Sequence, residues 1–224
     1  MSSENFIQIE PIENILETEN TTQIKIYKIS KEFEETVLSL LNRVLKHYTS
    51  ENYIPIIFTI LKELTINACK ANQKRIFFEE KNYDIGNPEH YEIGIKEFKK
   101  IFNESMGNFY GPLCKKKDYY CLILFEYDET GIRIEVRNNT LVTEQEEKSL
   151  REKLSKAMSY DDLAQFYMDN ADNTEGAGLG LALIVIMLKS EGLDPNLFRI
   201  SITEEYTSAR FELPFNSEYK SLRS

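Results

Sequence analysis

Residues 174–192 read TEGAGLGLALIVIMLKSEG, a glycine-punctuated turn from Gly176 to Gly180 that runs into an apolar helix with no charge before Lys189. Glycines at a helix entrance let the backbone approach a ligand closely, and the N–H groups of the first turn then point at whatever binds there. Anions suit that position, phosphates above all. A tight turn with no ligand uses the same residues, so the stretch takes its meaning from what the rest of the chain supplies.

A second informative stretch lies upstream, in LKELTINACKANQKR (61–75). Ile56, Ile57, Ile60, Leu61, Leu64 and Ala68 recur at three- and four-residue spacing, the pattern of a helix packed on a core. Pro55 falls in its first turn, where a missing N–H costs little. Into this apolar helix the sequence sets Glu63, Asn67 and Lys70, whose steps of four and three place them on one face. A carboxylate and an amide buried there without partners would cost about 1–3 kcal/mol or more. A solvated stripe with ordinary surface pairs satisfies them. So does a divalent cation on the amide oxygen, with the acid beside it to handle a proton.

Glu-x-x-x-Asn followed by Gly-x-Gly-Leu-Gly resembles the ATP-binding fold shared by gyrase, histidine kinases and MutL, the GHKL superfamily. The resemblance covers roughly residues 22–214. Glu63 and Asn67 match the N box, which implies Asn67 as the Mg²⁺ ligand and Glu63 as a general base, with Lys70 a further nucleotide-binding residue. Gly176, Gly178, Leu179 and Gly180 match the second glycine box, which lies over the triphosphate. Phe198–Glu204 and Thr207–Leu213 read as a closing pair of strands, and Thr207 falls where the family often places a phosphate-contacting threonine. The implied cofactors are ATP and Mg²⁺. The implied fold is a two-layer α/β sandwich, a mixed sheet with helices on one face.

The first glycine box, Asp-x-Gly-x-Gly in the family, is altered. Its place follows a strand at Ile132–Val136 and reads Arg137-Asn138-Asn139-Thr140-Leu141-Val142. Asn138 stands where the adenine-binding Asp is expected and still offers a carbonyl oxygen as acceptor, without the charge that strengthens the bond. Thr140 and Val142 narrow a turn that glycines keep open.

The order of the N-terminal elements points to a branch of the superfamily. Gln23–Ser30 alternates like a half-buried strand, and Lys31–His47 carries Phe33, Val37, Leu40, Leu41, Val44 and Leu45 at helical spacing behind a Ser30 N-cap. Strand, helix, then N-box helix is similar to the anti-sigma-factor serine kinases, which also keep Glu in the N box. This implies a regulatory kinase acting on a protein partner: a sigma factor, an antagonist or a phosphoacceptor protein. Homodimerisation is compatible with it. A non-catalytic nucleotide sensor or interaction module, and the stand-alone catalytic domain of a split histidine kinase, are the alternatives. Neither His47, followed by Tyr48 where an acid is usual, nor His90 reads as the chain's own phosphoacceptor.

The remaining segments read as additions to this frame. Residues 79–117 are an insertion between a strand expected after the N-box helix and the Tyr119–Tyr127 strand, with a helix from Ile93 to Phe102 and a lysine run at 115–117. Tyr119–Tyr127 and Gly131–Arg137 form a hairpin. Residues 143–175 read as a lid opening on the capping box Thr143-x-x-Glu146, or as a plain surface helix pair. Residues 1–21 and 215–224 read as loose tails. The net charge of −10 argues against nucleic acid and anionic membranes. The absence of an apolar run of about 20 residues, a start lacking a signal peptide's features, and three unpaired cysteines fit a cytoplasmic protein.

Overall fold

In β1 (Thr21–Ile26) Thr22, Ile24 and Ile26 are buried while Thr21 and Gln23 are exposed, so one strand face is committed to a core. The computed structural model describes residues 20–101, 106–169 and 179–222. The Ser30 hydroxyl accepts the Phe33 N–H at 3.2 Å and opens α1 (Lys31–His47). Acidic Glu32 and Glu34 in its first turn and basic Lys46 and His47 in its last complement the helix dipole. A 3-10 turn at Glu51–Tyr53 leads into α2 (Ile54–Glu80), with Pro55 in the first turn as the sequence requires.

The insertion contributes α3 (Pro88–Ile101) and α4 (Met106–Lys116) before β2 (Cys121–Tyr127) and β3 (Gly131–Asn138) form the expected hairpin. Asp128 fixes its turn, its carboxylate accepting the Thr130 and Gly131 N–H groups and the Thr130 hydroxyl. Three helices follow, α5 (Glu144–Met158), α6 (Leu163–Asp169) and α7 (Leu179–Ser190), and then β4 (Phe198–Ile202) and β5 (Thr207–Pro214).

The strands lie in the order β1-β2-β3-β5-β4. Their inward residues, among them Ile24, Ile123, Phe125, Ile134, Val136 and Phe211, pack against α1, α2 and α7 in one hydrophobic cluster. The other sheet face carries ion pairs between residues two apart along one strand, Arg137–Glu135 at 2.9 Å on β3 and Arg210–Glu212 at 3.1 Å on β5. The molecule is a two-layer α/β sandwich. Its sheet, however, is antiparallel at every pairing and not mixed. The β4–β5 hairpin returns β5 between β3 and β4, so two strands running the same way never become neighbours.

The strand expected after the N-box helix is instead the last third of α2. Cys69, Asn72, Gln73, Ile76 and Phe77 are buried at helical spacing with no breaker among them, and α2 runs on for 27 residues. Its far end builds a second cluster with the insertion, in which Ile76, Phe77 and Phe78 meet Phe98, Tyr110 and Cys114. The insertion is therefore a packed helical annex on α2. Its first helix starts at Pro88, earlier than Ile93, because Asn87 accepts the Glu89 and His90 N–H groups as an N-cap. The C-terminal segment is also tied down. Phe215 stacks on Tyr48, and Tyr219 lies over Gly131 and donates to Glu212 at 3.0 Å.

Gly94 lies in van der Waals contact with the ring of Phe78, and a side chain there would drive into buried carbon. Gly94→Val is expected to lower stability by about 1–3 kcal/mol through overpacking. Urea denaturation followed by circular dichroism measures it; a loss below a few tenths of a kcal/mol would mean that the annex repacks freely.

Candidate functional site

The half-buried face of α2 carries Glu63, Asn67 and Lys70 as its spacing predicts. α7 begins at Leu179 and brings its first turn against that face. At Gly180 an added methyl group would collide with the Glu63 carboxylate, and it would stand 3.5 Å from Asn67 Nδ2. Two motifs far apart in the chain thus meet with no room for a side chain between them. The closeness needs glycine for space and not for conformation. Burial pulls the Lys70 ammonium below its usual pKa, and the negative charge of Glu63 opposes that shift. An acid, an amide, a cation and a helix N-terminus converge here. Gly176 and Gly178 lie outside the described residues, as does the side chain of Leu179.

One residue beyond Asn67 the α2 backbone meets the end of β3. Asn138, 6% exposed, donates its amide to the Ala68 carbonyl at 3.2 Å and accepts the Thr140 N–H at 3.5 Å. Thr207 stands directly opposite Asn138 in the β3–β5 register, and its hydroxyl is buried without a hydrogen-bond partner among the described residues. Thr140 donates at 2.9 Å to Asn72, which is fully buried on α2 and whose own amide N–H₂ has no partner among the described residues. The six described site residues therefore form one strip, with Glu63, Asn67, Lys70 and Gly180 at one end and Asn138 and Thr207 at the other.

The chemistry of this strip fits Mg·ATP unevenly. Magnesium is met by one or two hard oxygen ligands plus phosphate and water, which Asn67 can satisfy. The first turn of α7 and Lys70 suit phosphate. At the base end the fit is poorer, because the Asn138 amide is turned onto the helix and Thr140 fills the turn against Asn72.

The sequence reading did not find the clamp beside this strip. Arg75 grips Glu146 with two N–H groups at 3.0 and 2.6 Å and also reaches the Leu141 carbonyl, while Lys74 bonds the same carboxylate. Glu146 caps α5 as well, accepting the Thr143 N–H at 2.8 Å. At the other end of α5, Lys189 of α7 donates to the Met158 and Tyr160 carbonyls and to Asp161. The described part of the 143–175 segment, up to Asp169, is therefore docked at both ends of its long helix. The signal in sequence was the capping box itself, whose Glu serves two masters.

The remaining residues singled out from sequence carry no site. His47 is exposed at the end of α1 with its ring edge on Tyr48. His90 lies in α3, not in a loop, and its Nδ1 accepts the Asp84 N–H at 3.0 Å. Cys69, Cys114 and Cys121 are all buried and unpaired, and burial pushes Cys69 and Cys114 to about 12. Among the described residues no group of His, Cys, Asp or Glu could hold a metal by itself, and no helix is long and apolar enough to cross a membrane. The shallow cleft of about 200 Å³ lined by Leu154, Met158, Val185 and Phe198 lies away from the strip.

No protein-family model matches the chain, and no solved structure matches it. It is similar to an uncharacterized protein of Treponema pallidum (strain Nichols), with 31% identity over 212 residues. That alignment takes in 95% of this chain and 41% of the longer protein, so the chain spans less than half of that relative's length.

The Glu146 clamp sets a pH dependence. Burial, the largest influence, raises the Glu146 pKa and lowers that of Lys74; the Arg75 and Lys74 charges more than reverse it for Glu146, holding that carboxyl at about 2 against an ordinary 4.5. A depressed folded pKa gives stability that is complete above the ordinary value and is lost as pH falls towards the folded one. Glu146→Gln is expected to cost on the order of 2 kcal/mol at pH 7, with the gap to wild type narrowing as pH falls from about 4.5 towards 2. Urea titrations at pH 7 and pH 3 check this, and a gap equal at both would refute it.

Proposed function

We propose that the chain is a Mg·ATP-binding regulatory protein of the GHKL type, acting on a protein partner as a serine kinase or anti-sigma-like switch. The observation that carries this reading is the contact of Gly180 with Glu63 and Asn67. It joins the glycine-box helix to the N box at the point where both would have to serve one ligand.

On this reading Asn67 holds Mg²⁺ through its amide oxygen, and Lys70 with the first turn of α7 holds the phosphates. Mg·ATP would supply the phosphoryl group, and positioning with charge neutralisation carries most of the catalysis in such transfers. Glu63, on the same helix face, accepts a proton from the attacking hydroxyl, whether of a partner's serine or of water. The Arg75–Glu146 clamp holds the entry of α5 at a fixed distance from this face.

One observation favours a second reading, a nucleotide sensor without turnover. The Asn138 amide is spent on Ala68, and Thr140 on Asn72, where the family keeps an acidic residue and glycines. Binding would then rest on the phosphates alone.

Calorimetric titration of Mg·ATP into the full chain is expected to give micromolar binding. Asn67→Ala and Gly180→Val should each weaken it by about tenfold or more, roughly 1.4 kcal/mol. Glu63→Gln should bind normally and lose phosphoryl transfer or hydrolysis. Binding with no turnover in wild type and no effect of Glu63→Gln would select the sensor. Folded wild-type protein that binds no Mg·ATP would overturn both readings.

A further inference from the structure

Of the two outer strands of the sheet, β4 is the one whose charge is unmatched. It pairs with β5 alone, so one row of its backbone N–H and C=O groups has no strand beside it among the described residues. Its side chains alternate. Phe198 is buried, and Ile200 and Ile202 half-buried, on the face covered by helices, while Arg199 and Ser201 are exposed on the other. Arg199 makes no ion pair among the described residues. At the opposite edge the cation of β1, Lys25, is spent on Asp118 at 2.8 Å and lies over the Tyr120 ring.

The two ends of β4 carry opposite charge. Arg199 stands second in the strand. Past its last residue the chain turns, and the Thr203 hydroxyl accepts the Glu205 and Tyr206 N–H groups at 3.3 and 3.1 Å. That turn holds the exposed Glu204 and Glu205 at the hairpin tip, where neither has a cation beside it among the described residues. At the Arg199 end lies the cleft of about 200 Å³, walled by Leu154 and Met158 of α5, Val185 of α7, and Phe198 and Arg199 themselves. Met158, a large apolar side chain, is 38% exposed there.

A strand with a cation at its start and carboxylates past its end is complementary to itself when turned antiparallel, which is the arrangement of a two-fold dimer. Charge also selects the register. An axis at Ile200 would set Arg199 of each copy diagonally across from the other, a repulsive arrangement. An axis at Ser201 keeps the two apart. Ser201 then faces Ser201 of the second copy, Ile200 faces its Ile202, and Arg199 faces its Thr203 with the tip carboxylates just beyond. The half-buried isoleucines cover one another, and the tip of the second copy falls opposite Leu197 and Phe198, at the mouth of the cleft.

We propose that the chain associates with a second copy of itself through antiparallel pairing of β4 about a two-fold axis at Ser201, joining the two five-stranded sheets into one. Each copy carries a net charge of −10, so the long-range interaction between copies is repulsive. The contact therefore rests on the local match of Arg199 with Glu204 and Glu205, on the apolar Ile200–Ile202 pairs and on the backbone bonds of the shared edge. It does not require the Glu63–Asn67 strip and stands whether or not the chain binds nucleotide.

The test is sedimentation equilibrium of the full chain at about 0.15 M salt, where repulsion beyond roughly 8 Å is screened. Wild type is expected to show a concentration-dependent equilibrium between monomer and dimer. Each Arg199 contact occurs twice by symmetry, so Arg199→Glu should weaken the dimer roughly tenfold or more, and adding Glu204→Arg with Glu205→Arg should restore it. All three side chains are exposed, so the fold is left intact. Ser201→Cys, on the axis, should cross-link two copies when treated with oxidised glutathione, giving a dimer on a non-reducing denaturing gel. Gln23→Cys, exposed on the other edge strand, should not, and the three native cysteines are buried. A wild-type chain that is monomeric at every concentration, a dimer indifferent to Arg199→Glu, or cross-linking through Gln23→Cys alone would overturn the proposal.

Discussion

Burial of α2 over its whole length is the constraint from which the other features follow. A helix of 27 residues has two ends to cover, and the sheet covers only one. Ile56, Ile57, Ile60, Leu61 and Leu64 pack into the main core, and Ile76, Phe77 and Phe78 would face water without α3 and α4. Each large side chain fully buried is worth about 1.5–3 kcal/mol. The annex is thus the structural consequence of extending the helix, whatever else it does. The same burial gives the polar residues of α2 their meaning. Glu63, Asn67, Lys70 and Asn72 interrupt an element whose apolar neighbours are held on both sides, so the packing of the helix sets where they stand.

Charge is distributed to match. The chain carries a net charge of −10, yet the middle of α2 presents Lys70, Lys74 and Arg75 within two turns. Lys74 and Arg75 are committed to Glu146, whose single carboxylate closes the entry of α5 and offsets one of their two charges. Lys70 stays beside Glu63 at partial burial, where desolvation weakens its hold on the proton. A cation in that state gains most from a charged partner arriving from outside, since the desolvation has already been met by the fold.

Periodicity carried most of the architecture into the sequence. The first strand, read over Gln23–Ser30 and found two residues earlier and shorter at Thr21–Ile26, the run of Phe33 to Leu45 at helical spacing, the hairpin around Asp128 and the apolar α7 were legible, because each is a local pattern. The segment 74–79 was not. Three consecutive apolar residues, Ile76 to Phe78, fit a buried strand as well as a helix, and only the partners Phe98 and Tyr110, remote in sequence, decide between them. The mixed sheet failed for a similar reason, since the placing of β5 between β3 and β4 depends on pairings no local pattern records. At the candidate site the spacing of Glu63, Asn67 and Lys70 was legible as a helix face. The contact with Gly180 became visible only when α2 and α7 lay side by side. Asn72 was missed because a buried asparagine on an amphipathic helix reads as a surface residue until its partner, Thr140, is folded onto it.

The contrast between the two ends of the strip bears on how it would work. At the Glu63 end the first turn of α7 comes against α2 with no side chain between them, Gly180 facing the Glu63 carboxylate and Asn67. At the Asn138 end the side chains are spent: Asn138 on the Ala68 carbonyl, Thr140 on Asn72. A residue that ties a strand to a helix cannot also release that tie at low cost, because each buried group left unpaired costs about 1–3 kcal/mol. On the proposed reading, discrimination would therefore lie in the phosphates, where Lys70, Asn67 and the α7 terminus respond to charge, and not in the base. A site of that kind distinguishes ligands by the number and charge of their phosphate groups, which is the distinction a switch driven by phosphoryl transfer has to make.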